Sequence, residues 1–463
     1  MTRRRVVVLL SLVALSTGCA PGIRPEDKAS PRPLGHDVPT YTPAARDGGR
    51  PLGPAFEEPT DTIALRDAIA LTLMHSPELA AYAWETRARE ARTVQAGRLP
   101  NPILSLQSED IGASIPAGAA GSVAQPQTTL QLSQLVELAG KRTARRGLAN
   151  TERELAAWDY EAARMDVLTR VTHAFIDLLF AQELVALTRQ TSELLRAVHA
   201  GVTARVAAGV VSPIEEAKAA VAVAAADVET ARALRLLESS RAQLAARWGR
   251  STATFAGASG ALSEVRVPPT LRDLRARLAH NPDLARWAVE LSQRQAALAI
   301  ERSKRVPDVT LAAGYREFGG TTDKAFVVGA ALPLPLFDRN GAGTQEAQHR
   351  VNKAFEERRA AEVRVAAALA ESYRALSSAH QEVTALAETV LPRSREIFDA
   401  ASEGYRLGRF AYLDVLDAQR TLIGAGTQYL RAVSEYHKAV ADAERLIGAP
   451  LTEITGVPPE VPQ

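Results

Sequence analysis

His75-Ser76-Pro77-Glu78-Leu79 recurs 205 residues further on as His280-Asn281-Pro282-Asp283-Leu284. The same offset carries Pro102 onto Pro307, Leu104 onto Val309 and Leu106 onto Leu311. Leu132–Leu138 then answers Leu332–Asp338 at an offset of 200, and Gly209 and Gly249 answer Gly408 and Gly448 at 199. Agreement sustained over that span, with offsets drifting by only a few residues, makes the chain a tandem duplication of one supersecondary unit. The repeats fall at 61–249 and 271–448, with a linker at 250–270 and a tail at 449–463.

Each repeat carries the same order of elements. Leu65 to Leu99 and Leu271 to Lys304 read as helical stretches, each with an Asp at its start and a Pro just past its end. Short alternating segments follow: Leu130 and Leu132 alternate with Gln131 and Ser133, and Val309, Leu311, Ala313 and Tyr315 alternate with Thr310, Ala312, Gly314 and Arg316. Flanked by Gly and Pro, that period predicts strands with one apolar and one polar face, joined in pairs through Gly112–Pro126 and Gly319–Lys324. Two long helical runs complete each repeat, Lys141–Ala200 with Pro213–Trp248 and Gly343–Ser402 with Ala411–Ile447. About 60 residues at 1.5 Å each reach roughly 90 Å, far beyond an ordinary globular helix. Alanines such as Ala217, Ala219, Ala220 and Ala222 leave several helix faces small, which suits a wall of close-packed helices and equally an extended coiled coil.

The 463 residues are 46% hydrophobic and 5% aromatic, with a single Cys, so a disulfide scaffold is excluded. That residue, Cys19, follows a basic start (Arg3–Arg5), an apolar run (Val6–Leu15) and the small residues Ser16, Thr17 and Gly18. The run is about half of the ~20 residues that a membrane-spanning helix needs, so 1–18 reads as a secretory leader. Leu15-Ser16-Thr17-Gly18-Cys19 resembles a bacterial lipobox, which makes Cys19 the expected lipid attachment point and 19–60, rich in Pro and Gly, an extended tether. In the lipoproteins that this leader resembles, a residue other than Asp after the Cys, here Ala20, is compatible with export to the outer membrane. Without Arg3–Arg5 the count is 52 basic against 53 acidic residues, a balance of −1. That argues against nucleic acid as a partner, since phosphate neutralisation needs a basic excess. No segment beyond the leader reads as a membrane-spanning helix, which leaves any crossing to β-strands.

Four amphipathic strands cannot close a membrane barrel, which takes about eight or more, so strands that span a membrane require several copies of the chain. At this point the chain resembles the TolC-like outer membrane efflux proteins over nearly all of Asp61 to Gly448. It resembles more narrowly the CzcC-like outer membrane components of cobalt-zinc-cadmium efflux systems. The residues that carry this are Leu99-Pro100-Asn101-Pro102, Val136-Glu137-Leu138-Ala139-Gly140-Lys141-Arg142 with Arg145, and Pro335-Leu336-Phe337-Asp338-Arg339-Asn340-Gly341. The resemblance implies a mainly α protein with a small β part. It also implies a homotrimer whose twelve strands form an outer membrane barrel continued by a periplasmic helical barrel, with a periplasmic adaptor and an inner-membrane resistance-nodulation-division pump as partners.

By the same resemblance, the turns at Gly209 and Gly408 form the periplasmic tip. Asp414 and Asp417, three apart and so on one helix face, belong to the aperture. Six such carboxylates in a trimer would repel one another and draw cations. Tyr405 and Glu215 stand where the family bonds across helices to hold the tip closed; Phe410 takes the place of the family's usual Arg, with Arg409 beside it. Arg205, Arg406 and Leu407 are the expected adaptor contacts. Lys141, Arg142, Arg145 and Arg339, just past the strands, are placed to meet phosphates of outer membrane lipid.

The eight histidines, His36, His75, His173, His199, His280, His349, His380 and His437, include no pair at ligand spacing, and only Met74 and Met165 remain after the leader. A soft-metal relay or zinc site is unsupported, and His75 and His280 read as helix-packing residues. There is no GxxxxGK[ST] loop and no catalytic constellation, so neither an enzyme nor a cofactor beyond the Cys19 lipid is expected. The reading is a passive conduit for exported solute, heavy-metal cations foremost. A drug channel of the same fold and a non-conducting periplasmic lipoprotein are the rivals.

Overall fold

The computed structural model describes residues 32–43, 58–111, 126–319 and 322–454; Cys19, the leader, most of the tether and most of the Gly112–Pro126 joint lie outside them. The first repeat runs β1 (Thr62–Ala64), α1 (Leu65–His75), α2 (Pro77–Ala96), β2 (Ile103–Glu109), β3 (Gln127–Val136), α3 (Lys141–Ala207) and α4 (Pro213–Ala246). The second runs β4 (Gly257–Ser259), α5 (Leu271–Ala276), a 3-10 turn, α6 (Pro282–Ser303), β5 (Val309–Phe318), β6 (Lys324–Ala331), α7 (Gly341–Ala385), a π-turn (Leu386–Val390), α8 (Leu391–Arg406) and α9 (Tyr412–Ile447).

The duplicated HSPEL and HNPDL motifs turn out to be helix breaks, so neither 65–99 nor 271–304 is one helix. Proline disfavours the helical conformation of the residue before it. Ser76 and Asn281 are therefore extended and cap the next helix, accepting from the Leu79 and Leu284 backbone N–H, with Pro77 and Pro282 in the first helical position. Asn281 is fully buried and its Nδ2 donates to the Leu446 carbonyl at 2.9 Å, fastening α6 to the end of α9. The histidines beside these caps are exposed, which corrects their expected packing role. The run from 343 to 402 is also divided. Pro392 has no N–H to give the preceding turn, and the ladder widens to a π-turn just before it.

α3 spans 67 residues, about 100 Å at 1.5 Å per residue. It packs along α4 on one flank and α9 on the other, and α9 packs on α7 and α8. Contrary to the sequence reading, α3 does include a stretch long and apolar enough to cross a bilayer. Those apolar residues are instead the contact surface of a wall helix with neighbours on both sides; Met165, Val171 and Leu178 are fully buried. The main core lies midway along the wall, where Phe175 and Leu178 of α3 meet Leu71, Leu244, Phe255, Leu376 and Val433 from both repeats. β1 and β4, which open the two repeats, pair in parallel across it (Ile63↔Ala258).

The other sheet is antiparallel in the order β2-β3-β5-β6. Its register places Leu104, Leu132, Ala313 and Val328 in one row and Leu106, Leu130, Tyr315 and Phe326 in the next, all on one face. The opposite face carries Ser105, Gln107, Thr129, Gln131, Ser133, Thr310 and Arg316. Arg316 is held on that polar face by Thr129 Oγ1 (2.9 Å) and Gln127 Oε1 (3.1 Å). The free edges are β2 and β6, and among the described residues no further strand closes the sheet.

Residues 32–43 lie against α3 through a buried ion pair. Arg164 binds Glu161 through two nitrogens (3.0 and 2.8 Å), with both side chains nearly inaccessible (3% and 4%). It also donates to the Leu34 and Arg32 carbonyls, while the Arg32 N–H donates to Glu161. The Arg32 guanidinium stacks 4.7 Å over Trp158.

Close by, burial pushes the Glu444 carboxyl up to about 7, although it accepts the Leu451 N–H at 2.9 Å. A folded value above the ordinary one means that the native state holds the proton more tightly. The contribution of this group to stability is then full below about pH 4.5 and is lost as pH rises through about 7, on the order of 3 kcal/mol at about 1.4 kcal/mol per pK unit. Glu444→Gln, which keeps the acceptor, is expected to flatten the difference in thermal midpoint between pH 5 and pH 8. An unchanged pH profile in that variant would contradict the assignment.

Candidate channel site: the tip and the strand-to-helix collar

The long helices reverse at two matched turns. After Ala207 the chain passes through Gly209 (φ +69°) to Ser212, which caps α4 by accepting from the Ile214 N–H. After Arg406 it passes through Gly408 (φ +74°) to Ala411, whose N–H is taken by Asp414 Oδ2 at 3.0 Å. Only Gly adopts that left-handed geometry without strain. The turns close alike, Val210 N–H bonding Arg205 O and Arg409 N–H bonding Gly404 O.

Tyr405 laces the turns together. Its hydroxyl donates to Glu215 Oε2 at 3.2 Å, the Arg205 guanidinium lies 4.4 Å over its ring and donates to its carbonyl at 2.6 Å, and Tyr412 packs 5.6 Å away. Four helix ends, from α3, α4, α8 and α9, thus meet on one aromatic ring. Burial first, and then the Glu215 carboxylate, push the Tyr405 phenol up, so it stays a neutral donor.

Asp414 and Asp417 are both exposed on α9; Asp414 also serves as its cap. Arg409 is exposed, and Phe410 packs its ring over Gly404, where a β-carbon would collide with it. Of the three residues expected to contact a partner at the tip, Leu407 is open, Arg406 is exposed but paired with Glu403 at 2.8 and 2.7 Å, and Arg205 is turned inward to Tyr405.

At the other end, beneath the sheet, the basic residues divide. Lys141 pairs with Asp308 at 2.7 Å, fastening the start of α3 to the foot of β5. Arg145 grips Glu137 through two nitrogens and the Ala96 and Arg98 carbonyls at the end of α2. These two are joints of the fold, whereas Arg142 and Arg339 are exposed, and Arg339 donates to the Pro335 carbonyl at 3.2 Å. Sequence reasoning missed the Arg205–Tyr405 and Lys141–Asp308 links because their partners lie in the other repeat. Glu137 stood within the same short motif as Arg145, and that was a usable signal.

Among the described residues no three His, Cys, Asp or Glu side chains converge in a way that could hold a metal. His173 pairs with Asp442 at 3.1 Å, and that bond raises its pKa.

The outer membrane efflux protein family matches this chain over residues 68–250 and 274–449. The cobalt-zinc-cadmium resistance protein CzcC of Cupriavidus metallidurans is 34% identical over 421 residues, 90% of this chain and 98% of that protein. The nickel and cobalt resistance protein CnrC of the same organism is 30% identical over 307 residues, covering 65% of this chain and 69% of CnrC. Among solved structures, the Campylobacter jejuni CmeC outer membrane channel superposes with a TM-score of 0.69 at 16% identity, covering 91% of this chain and 94% of that one.

Proposed function

From the premise that the chain belongs to the outer membrane efflux protein family, we propose that it is the outer membrane channel of a tripartite resistance-nodulation-division efflux system that conducts heavy-metal cations outward. One observation carries the channel reading: a four-stranded sheet with one apolar and one polar face and two free edges, mounted on hairpins about 100 Å long. A single copy leaves the edges open in the bilayer, where unpaired backbone groups are costly. Channels of this family are trimeric and work with an adaptor and a pump. Three copies supply twelve strands, with the polar face lining the lumen and Leu104, Leu132, Phe326 and Val328 facing lipid. The likeness to CzcC over almost the whole of that protein supports divalent metal as cargo. Acylation of Cys19 would add a second hold on the outer membrane.

In this reading the Tyr405–Glu215 bond is a latch between the two hairpins, and Asp414 and Asp417 form an acidic ring at the mouth. Metal ions reach that ring from the pump side, where clustered carboxylates raise their local concentration. The channel itself supplies no energy.

The test is conductance in planar bilayers. Asp414→Asn with Asp417→Asn keeps a capping side chain and removes the charge. It is expected to weaken block by millimolar Co²⁺ or Zn²⁺ added on the periplasmic side by about tenfold, or roughly 1.4 kcal/mol. Tyr405→Phe is expected to raise the open fraction. Unchanged block would remove the acidic ring from the mechanism. A well-folded trimer that never conducts would favour the non-conducting lipoprotein.

A further inference from the structure

The segment that leaves β6 is apolar and uncovered. Leu332, Leu334 and Leu336 are 49%, 69% and 67% exposed, and Phe337 is fully exposed. Pro333 and Pro335 keep this stretch extended and stop it continuing as a strand. At the opposite edge of the sheet, below the start of β2, lies a cavity of about 430 Å³ between the end of α2 and the start of α3. Leu99, Pro100 and Leu148 line it, together with Arg92, Arg98 and Glu152. Arg92 lies 3.5 Å from Glu152, whereas Arg98 is exposed and makes no ion pair among the described residues.

Strand direction alternates across β2-β3-β5-β6, so β6 of one copy meets β2 of the next antiparallel. The ends that meet on the helix side of that seam are Ala331 and Ile103. Phe337 lies six residues past Ala331, within about 20 Å of extended chain, and Leu99 lies four residues before Ile103. We propose that Phe337 of one copy seats in the α2–α3 cavity of the next, a plug and socket beneath each seam of the barrel. The inference rests on the trimeric reading above and adds what locks one subunit to another.

Three features fit this occupant. The cavity combines apolar walls with a cation, and the plug combines an aromatic ring with the exposed carboxylate of Asp338 next to it, placed to meet Arg98. Each partner leaves uncovered what the other covers. The contact also continues an interface that the open sheet already demands. The hydrocarbon of a bilayer would take the ring of Phe337 but not the carboxylate of Asp338, which among the described residues accepts the Asn340 N–H at 2.8 Å.

Cysteine cross-linking tests the proposal, because Cys19 is the sequence's only native cysteine and single-cysteine variants control for it. Phe337→Cys combined with Leu99→Cys, and separately with Leu148→Cys, is oxidised in outer membranes and run on non-reducing denaturing gels. Covalent dimers and trimers are expected from at least one pair. As the seam control, Ile103→Cys is combined in turn with Val327→Cys, Gly329→Cys and Ala331→Cys. Cross-links at the seam with none from Phe337 overturn the plug and leave the trimer standing. No cross-link at either place overturns both. Phe337→Ala is expected to cut the SDS-resistant oligomer about tenfold while Phe337→Leu retains most of it; equal yields from the two would also overturn the proposal.

Discussion

Gly314→Val is expected to abolish the barrel while leaving the helices formed. Gly314 sits opposite Gln131 in the β3–β5 pairing, the ladder that joins the two halves of the four-stranded sheet. A β-carbon there would lie 2.7 Å from the Leu130 carbonyl oxygen and 3.1 Å from Gln131 Cα. Both are backbone atoms of the neighbouring strand, so relief requires the strands to part. Parting them leaves polar backbone unpaired in lipid, at several kcal/mol per group. Position 314 lies on the polar face, so the effect comes from strand pairing rather than from a side chain misplaced in lipid. Gly329 is the control, since a β-carbon there meets only Ala312 Cβ at an ordinary 3.9 Å. The oligomer band on semi-native gels should vanish for Gly314→Val and persist for Gly329→Val. Equal bands from both would refute the close-approach account.

Arg164→Ala is expected to cost about 3–5 kcal/mol, because it strands Glu161 as a buried carboxylate without its cation. The Arg32 and Leu34 carbonyls lose their donor in the same step. The expected outcome is a thermal midpoint several degrees lower, together with new protease cleavage within residues 32–43. Arg164→Met with Glu161→Gln should recover part of the loss, since a neutral pair carries a smaller desolvation penalty. A midpoint unchanged in Arg164→Ala would show that the pair does not hold the arm.

Much of this architecture could be read from the chain because it is written twice. The shared offset exposes the strand segments and tip glycines in each repeat, and alternation at Val309–Arg316 gives the faces directly. Local chemistry that competes with a long apolar pattern was harder to read. Ser76-Pro77 and Asn281-Pro282 are capping signals inside what looks like a continuous helix, and the Ala-rich period of 343–402 masked Pro392. The tip was legible in part. Spacing placed Asp414 and Asp417 on one face, and the capping bond from Ala411 to Asp414 is local, three residues apart, but the lacing of Arg205 to Tyr405 depends on packing between residues 200 apart. At the collar, charge alone could not separate the exposed Arg142 and Arg339 from Lys141 and Arg145, whose carboxylates lie on neighbouring segments.

The π-turn at Leu386–Val390 gives the two descending arms different mechanics. α3 is a single unbroken ladder from the sheet to the tip, stiff along its length like a tent pole. Its counterpart in the second repeat, α7 and α8, covers the same drop in two lengths with a widened, Pro-limited joint between them. A sideways load at the tip is therefore carried unequally: the first arm resists as a strut, and the second yields at its elbow. Tyr405, at the foot of the elbowed arm, is gripped at its ring and carbonyl by Arg205 at the foot of the stiff one, while its hydroxyl holds Glu215 of α4, so one tyrosine ties the compliant half of the protein to the rigid half.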